Sequence, residues 1–183
     1  MTDPGQATTT ASSVYRQGAG GAWAQPSPEA LLKAAIQVDA AQHERSGSPE
    51  AAIEAYASAG LIGLDADTRA DYTSYYLVRK HTEFFGHTLV VIEHEYMDEY
   101  VGCCVSPGVG LTVRVKGSTD ALQKFAADNG CSFADNTDPA AELRQYGLKS
   151  MLFKAHYASL SCRERDLGLD VDEEEPEPDQ AGE

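Results

Sequence analysis

Basic side chains are scarce in this 183-residue chain, where Lys and Arg total 14 against 29 Asp and Glu, for a formal net charge of −15. That balance repels phosphate backbones and anionic lipid alike, so direct nucleic-acid and membrane-surface binding are disfavoured. Long apolar runs are missing too. No stretch approaches the roughly 20 residues of a membrane helix, and the opening MTDPGQATTTASS has no basic segment leading into an apolar one. A soluble, unexported, cytoplasmic protein is therefore expected. Cysteine is sparse: Cys103, Cys104, Cys131 and Cys162 are an even number, but at this density and without an export signal they read as reduced thiols.

The signatures of the common chemistries are absent as well. No C-x₂-C or H-E-x-x-H frame orients metal ligands, no Walker lysine follows the glycines Gly102, Gly108 and Gly110, and Ser106 lacks the G-x-S-x-G frame of a nucleophile elbow. Those three glycines read as turn residues. No cofactor is expected.

What is present suffices for one domain. Hydrophobic residues make up 42% and charged residues 23%, close to the globular average. The negative charge is uneven: Asp170 to Glu183 holds eight acids and no base, and removing them leaves −7 for the rest. We therefore expect a flexible arm over residues 1–26, a single domain over 27–169, and a disordered acidic tail over 170–183. Trp23 stands out in the arm, either docked on the body or offered to a partner.

Two SPEA tetrapeptides, Ser27–Ala30 and Ser48–Ala51, each place an N-cap serine before a proline at N1 and a glutamate in the first turn. Both predict helices, the first running to the Ser46-Gly47-Ser48 break and the second to Gly60 or Gly63. A third helix is expected from Asp65 or Ala66 to Lys80 or Phe85, carrying Tyr72, Tyr75 and Tyr76. The stretch AAIEAYASAGLIGLDAD resembles the second helix of a tetratricopeptide repeat, with Ala52, Tyr56 and Ala59 at the small, aromatic and small positions. It covers half a repeat, and Leu64 stands where that family usually has proline. Solenoids of this kind need about three repeats, so we read convergence of an ordinary helical hairpin.

After Gly86 the pattern turns to β. HTLVVIEHEYM, Tyr100 to Val105 and Leu111 to Val115 predict an antiparallel meander, followed by a helix from Ser118 or Thr119 to Asp128, a short one from Asp138-Pro139 to Tyr146, and a last, broadly buried helix over LKSMLFKAHYASLSC. The expected fold is α+β: a helical part over 27–85 with an N-terminal hairpin and third helix, then over 87–169 a small antiparallel sheet covered by C-terminal helices.

Chemistry, if present, should centre on EHEYMDEYVGCCVSPGVG. His94 is the candidate base, Glu95 or Glu93 its partner, and Cys103 the nucleophile or ligand; His87, His94 and Cys103 are the candidate metal donors. Strand alternation sends Val90, Ile92, His94 and Tyr96 to one face and Leu89, Val91, Glu93, Glu95 and Met97 to the other, which argues against convergence. His156 reads as a core residue, and His81 as a cation at the third helix's end. The preferred expectation is a non-catalytic acidic interaction or regulatory protein that binds a basic protein surface through its tyrosine-bearing helices and acidic tail, with Tyr72, Tyr75, Tyr76 and Trp23 as the candidate contacts. The alternative is a small metal- or thiol-dependent enzyme built on His94, Glu95 and Cys103.

Overall fold

The computed structural model describes residues 25–39, 44–97, 105–149 and 152–167. Trp23, His43, Tyr100, Gly102, Cys103 and Cys104 lie outside that set, as do most of the expected arm, the expected 100–105 strand apart from Val105, and the acidic tail.

Sheet dominates, and the expected helical N-terminal half is corrected. Helix α1 (Pro28–Ile36) leads to a small ribbon of β1 (Val38–Asp39) and β2 (Glu44–Arg45), then to α2 (Pro49–Ser58). Next come β3 (Thr68–Ala70), β4 (Thr73–Leu77), β5 (Glu83–Phe84), β6 (His87–Glu95) and β7 (Gly108–Arg114). Helix α3 (Asp120–Asp128), β8 (Ser132–Asp135), α4 (Pro139–Gln145), β9 (Tyr157–Arg163) and a 3₁₀ turn (Glu164–Leu167) complete the described residues. Among the described residues seven strands make one antiparallel sheet in the order β3-β4-β6-β7-β9-β8, with β5 also paired to β6.

The helices begin where their caps say. Ser27 Oγ accepts from Ala30 N–H at 3.2 Å, Ser48 Oγ from Ala51 N–H at 3.1 Å and Asp138 Oδ1 from Ala141 N–H at 2.9 Å, each ahead of a proline that gives up no needed donor. Helix α1 stops earlier than expected. Its end at Ile36 is held by Arg45, which donates to the carbonyls of Ile36 (2.8 Å), Asn129 (2.6 Å) and Gly130 (3.1 Å).

Two expected helices are strands. Thr68–Leu77 is a hairpin, closed by Asp71 in the left-handed region (φ 49°), and its threonines and tyrosines suit a pleated surface. A second tight turn, Phe85-Gly86, has both residues at positive φ (50° and 77°), the geometry whose twist matches paired strands, and Gly86 makes it accessible. The last expected helix is corrected throughout its described residues: 148–149 and 152–156 are irregular, and Tyr157–Arg163 is β9, an interior strand between β7 and β8.

Helices α1, α2 and α3 cover one face of the sheet. Leu32, Ile36, Tyr56, Leu122 and Phe125 meet Leu89, Ile92, Val109, Leu111, Val113 and Leu160 there in one buried cluster. On the opposite face Leu143 of α4, with Tyr146, Leu148 and Leu152, packs on Tyr75, Leu77 and Val91. Strand β6 carries a bulge between Leu89 and Val91 that alters the expected alternation. The extra residue, Val90, lets Leu89 share the helix-covered face with Ile92 while Val90 and Val91 both reach the α4 face.

Candidate functional site

On the α4 face, Glu93 and Glu95 of β6 meet Arg163 at the end of β9 and Arg165 just beyond it. Arg163 Nη2 donates to Glu93 Oε2 at 2.7 Å and its Nε lies 2.8 Å from Glu95 Oε2, while Arg165 grips both oxygens of Glu95 at 3.1 and 2.9 Å. The side chains of Arg163, Glu93 and Glu95 are only 8%, 12% and 7% exposed. Burial by itself would raise the Glu95 carboxyl, but the bonds from Arg165 and the Ser106 amide, with the charge of Arg163, hold it below the usual carboxylate range. Across from them Glu142 of α4 is pushed up, first by burial and then by the charge of Glu93. Both carboxylate oxygens of Glu95 thus accept from structural donors, an arrangement that fixes strand ends.

Glycine makes the Arg163 pair possible. Gly108 and Gly110, expected in turns, belong to β7, and a Cβ on Gly110 would lie 2.7 Å from Glu93 Oε2 and 3.2 Å from Arg163 Nη1. The missing side chain is the room in which the ion pair sits.

His94 faces the other way. Its Nε2 lies 3.4 Å from Glu50 Oε1 on α2, and its ring stacks on Tyr96 with centroids 4.6 Å apart. Tyr96 in turn lies under the Arg69 guanidinium, whose Cζ is 4.4 Å from the ring centroid and whose Nη1 donates to the phenol oxygen. Glu50 stays ionised: the Ser48 hydroxyl, donating at 2.6 Å, and its own backbone amide hold its carboxyl low, with His94 adding to the effect.

The sequence-derived donors are therefore distributed. His94 and Glu95 point to opposite faces, and His87, buried at the far end of β6, accepts from Lys116 N–H at Nδ1 (3.1 Å). Among the described residues no group of three or more His, Cys, Asp or Glu side chains is placed to hold a metal ion. Cys131 and Cys162, expected as reduced thiols, are bonded to each other as a disulfide. His156, expected in the core, is half-exposed and lies 2.6 Å from Asp135 Oδ1. His81 lies in the loop before β5, 3.7 Å from Glu83. Tyr75 and Tyr76 are buried strand residues, Tyr75 against the Tyr146 ring at 4.9 Å, and burial raises both phenols, Tyr75 well above its ordinary range. Tyr72 is half-buried on the same hairpin.

What His94 and Tyr96 do share is an opening. A groove of about 740 Å³ runs between α2 and the ends of β4 and β6, floored by Ile53, Ala57, Tyr76 and Tyr96 and bordered by Glu50 and Glu54. Leu64 stands on its rim, 86% exposed. A neighbouring cleft of about 510 Å³ shares Glu50, His94 and Tyr96 and continues to Arg45 and Pro107. Sequence reasoning missed Leu64 and Glu54. The signal available was an apolar residue in the Gly63-Leu64-Asp65 turn, where no helix or strand would bury it.

Among the described residues no helix is long and apolar enough to cross a membrane. No protein-family model, curated protein or solved structure matches this chain.

Proposed function

We propose that this chain is a non-catalytic protein-binding module, and that the groove beside α2 receives a segment of a basic partner with apolar side chains spaced between its cations. The observation that carries this reading is the juxtaposition of an exposed leucine and a shallow apolar floor with two glutamates on a chain of net charge −15. An apolar anchor on Leu64, Ile53 and Ala57 would supply most of the attraction, and Glu50 and Glu54 would select Lys or Arg and reject acidic competitors. The commitment of Glu93, Glu95 and His94 to structural partners supports the non-catalytic part of the reading.

Defined peptides test it. Labelled 15-residue peptides that are basic and amphipathic, basic with serine in place of every apolar residue, and acidic and amphipathic are titrated into the full chain by fluorescence anisotropy. The first should bind, the other two at least about tenfold more weakly, and Leu64→Asp or Glu54→Lys should remove the difference. Equal binding of all three peptides, or insensitivity to both substitutions, overturns the proposal.

A further inference from the structure

Beside the start of β6 the acidic character of the chain is locally reversed. At the start of β6, on the α4 face, a pocket of about 290 Å³ is bordered by Arg79, Lys80, His81, Arg114 and Lys116, and no carboxylate lines it. Some of that charge is answered nearby: Arg79 pairs with Asp67 at 3.1 Å and Lys116 with Glu83 at 2.6 Å. The Lys80 ammonium lies against Gly60 beyond the end of α2, whereas Arg114 has no carboxylate partner among the described residues and its guanidinium lies 5.1 Å from the centroid of Phe153.

The second, independent observation is Thr88. This residue is 9% exposed, it lines the pocket, and its buried hydroxyl oxygen has no hydrogen-bond partner among the described residues. Buried hydroxyls are normally satisfied, because one left unpaired carries its full desolvation cost. Thr88 and Arg114 are direct partners in the β6–β7 register, so their side chains stand beside each other on one face. The remaining wall is apolar, formed by Leu152 and by Phe153, which is 61% exposed.

We propose that this pocket binds a small phosphate monoester with a planar apolar body. The oxyanion takes the Thr88 hydroxyl and the Arg114 guanidinium, and the body lies along Leu152 and Phe153. A hydroxyl donor beside a planar guanidinium suits phosphate oxygens. The site is separate from the α2 groove and its test does not depend on that reading.

The full chain is titrated with phenyl phosphate, inorganic phosphate and benzoate, by calorimetry and by amide chemical shifts. Phenyl phosphate should bind saturably, shift the amides of Thr88, Arg114 and Phe153, and bind at least about tenfold more tightly than either other probe. Arg114→Gln should weaken it about tenfold or more, and Thr88→Val about fivefold. Because the methyl replaces an unsatisfied hydroxyl, Thr88→Val should leave the melting temperature unchanged or raise it. A clear fall in melting temperature for Thr88→Val would show a structural partner for the hydroxyl and overturn the proposal. Inorganic phosphate binding as tightly as the ester would overturn the assigned class, and no saturable binding of any probe would overturn the site.

Discussion

Arg163 on β9 reaches Glu93 on β6 across the whole width of β7, at 2.7 Å, and the β7 residue beneath the pair is Gly110. An ion pair over an intervening strand needs a position with no side chain, and any Cβ there collides with the carboxylate. Gly110→Ala should therefore part the pair and destabilise the fold. Arg163→Met, which leaves Glu93 and Glu95 facing a low-dielectric surface, should cost about 3 to 5 kcal/mol. In urea unfolding the two substitutions should be far from additive, Gly110→Ala costing little once Arg163 is gone.

Acid should loosen the same end of the sheet. For Glu95 and for Asp166, burial alone would raise the carboxyls, but the donors outweigh it: Arg165 and Ser106 for the first, Ser132, Ser161 and the Arg163 amide for the second. Both folded values lie below the unfolded ones, so their stabilisation is complete above the unfolded carboxylate range, about pH 4 to 4.5, and disappears as pH falls through the folded values. Stability measured against pH should drop on that acid limb, and Glu95→Gln should flatten the drop.

Glu142 has the opposite sign. Its folded value is raised, first by burial and then by Glu93, so it opposes folding once pH exceeds the unfolded carboxylate range. Glu142→Gln should stabilise the protein at neutral pH and change nothing at pH 3, as read from urea midpoints at the two values.

The disulfide carries its own expectation. Cys131 and Cys162 are 31 residues apart in sequence, and closing a loop of that length constrains the unfolded chain by about 3 to 4 kcal/mol in the chain-entropy account. A reductant should lower the urea midpoint of the wild type and leave Cys131→Ser/Cys162→Ser untouched. Peptide mapping without reductant should return residues 131 and 162 in one linked fragment.

Arg45 shows how the helices are held to the sheet. Its guanidinium gathers the carbonyls that end α1 and α3, and reaches the Arg163 carbonyl at 3.3 Å. Arg45→Met should orphan them and cost about 1.5 to 3 kcal/mol, since bonds to a charged donor are the stronger kind.

Which parts of this were legible follows from where the signal is local. Ser27-Pro28-Glu29, Ser48-Pro49-Glu50 and Asp138-Pro139 name their helix starts because a cap is settled by neighbouring atoms. The run Leu89 to Ile92 and the alternation of Leu111 to Val115 likewise declare strands. Tyr72, Tyr75 and Tyr76 misled because their spacing of three and four suits a helix face, while the ring type suits a sheet; pairing with β6, remote in sequence, decides between them. Ala158, Ser159 and Ser161 in β9 have too little apolar contrast to show a period of two, so Leu148, Leu152 and Ala155 drew the segment toward a helical stripe. The opposed faces of His94 and Glu95 were readable from strand alternation, whereas the arginines that occupy Glu95 come from residues 163 and 165 and leave no mark near residue 95.

The groove beside α2 is tested most directly by a photoreactive residue at position 64 in the full chain, compared with one at Gln123 on the exposed face of α3, followed by identification of the crosslinked peptides. Adducts confined to position 64, on partner segments of net positive charge with interspersed apolar residues, and lost when Glu50 and Glu54 are changed to Lys, are the predicted result. Equal yield at both positions, or capture at position 64 of acidic segments that survive the charge reversal, would contradict it.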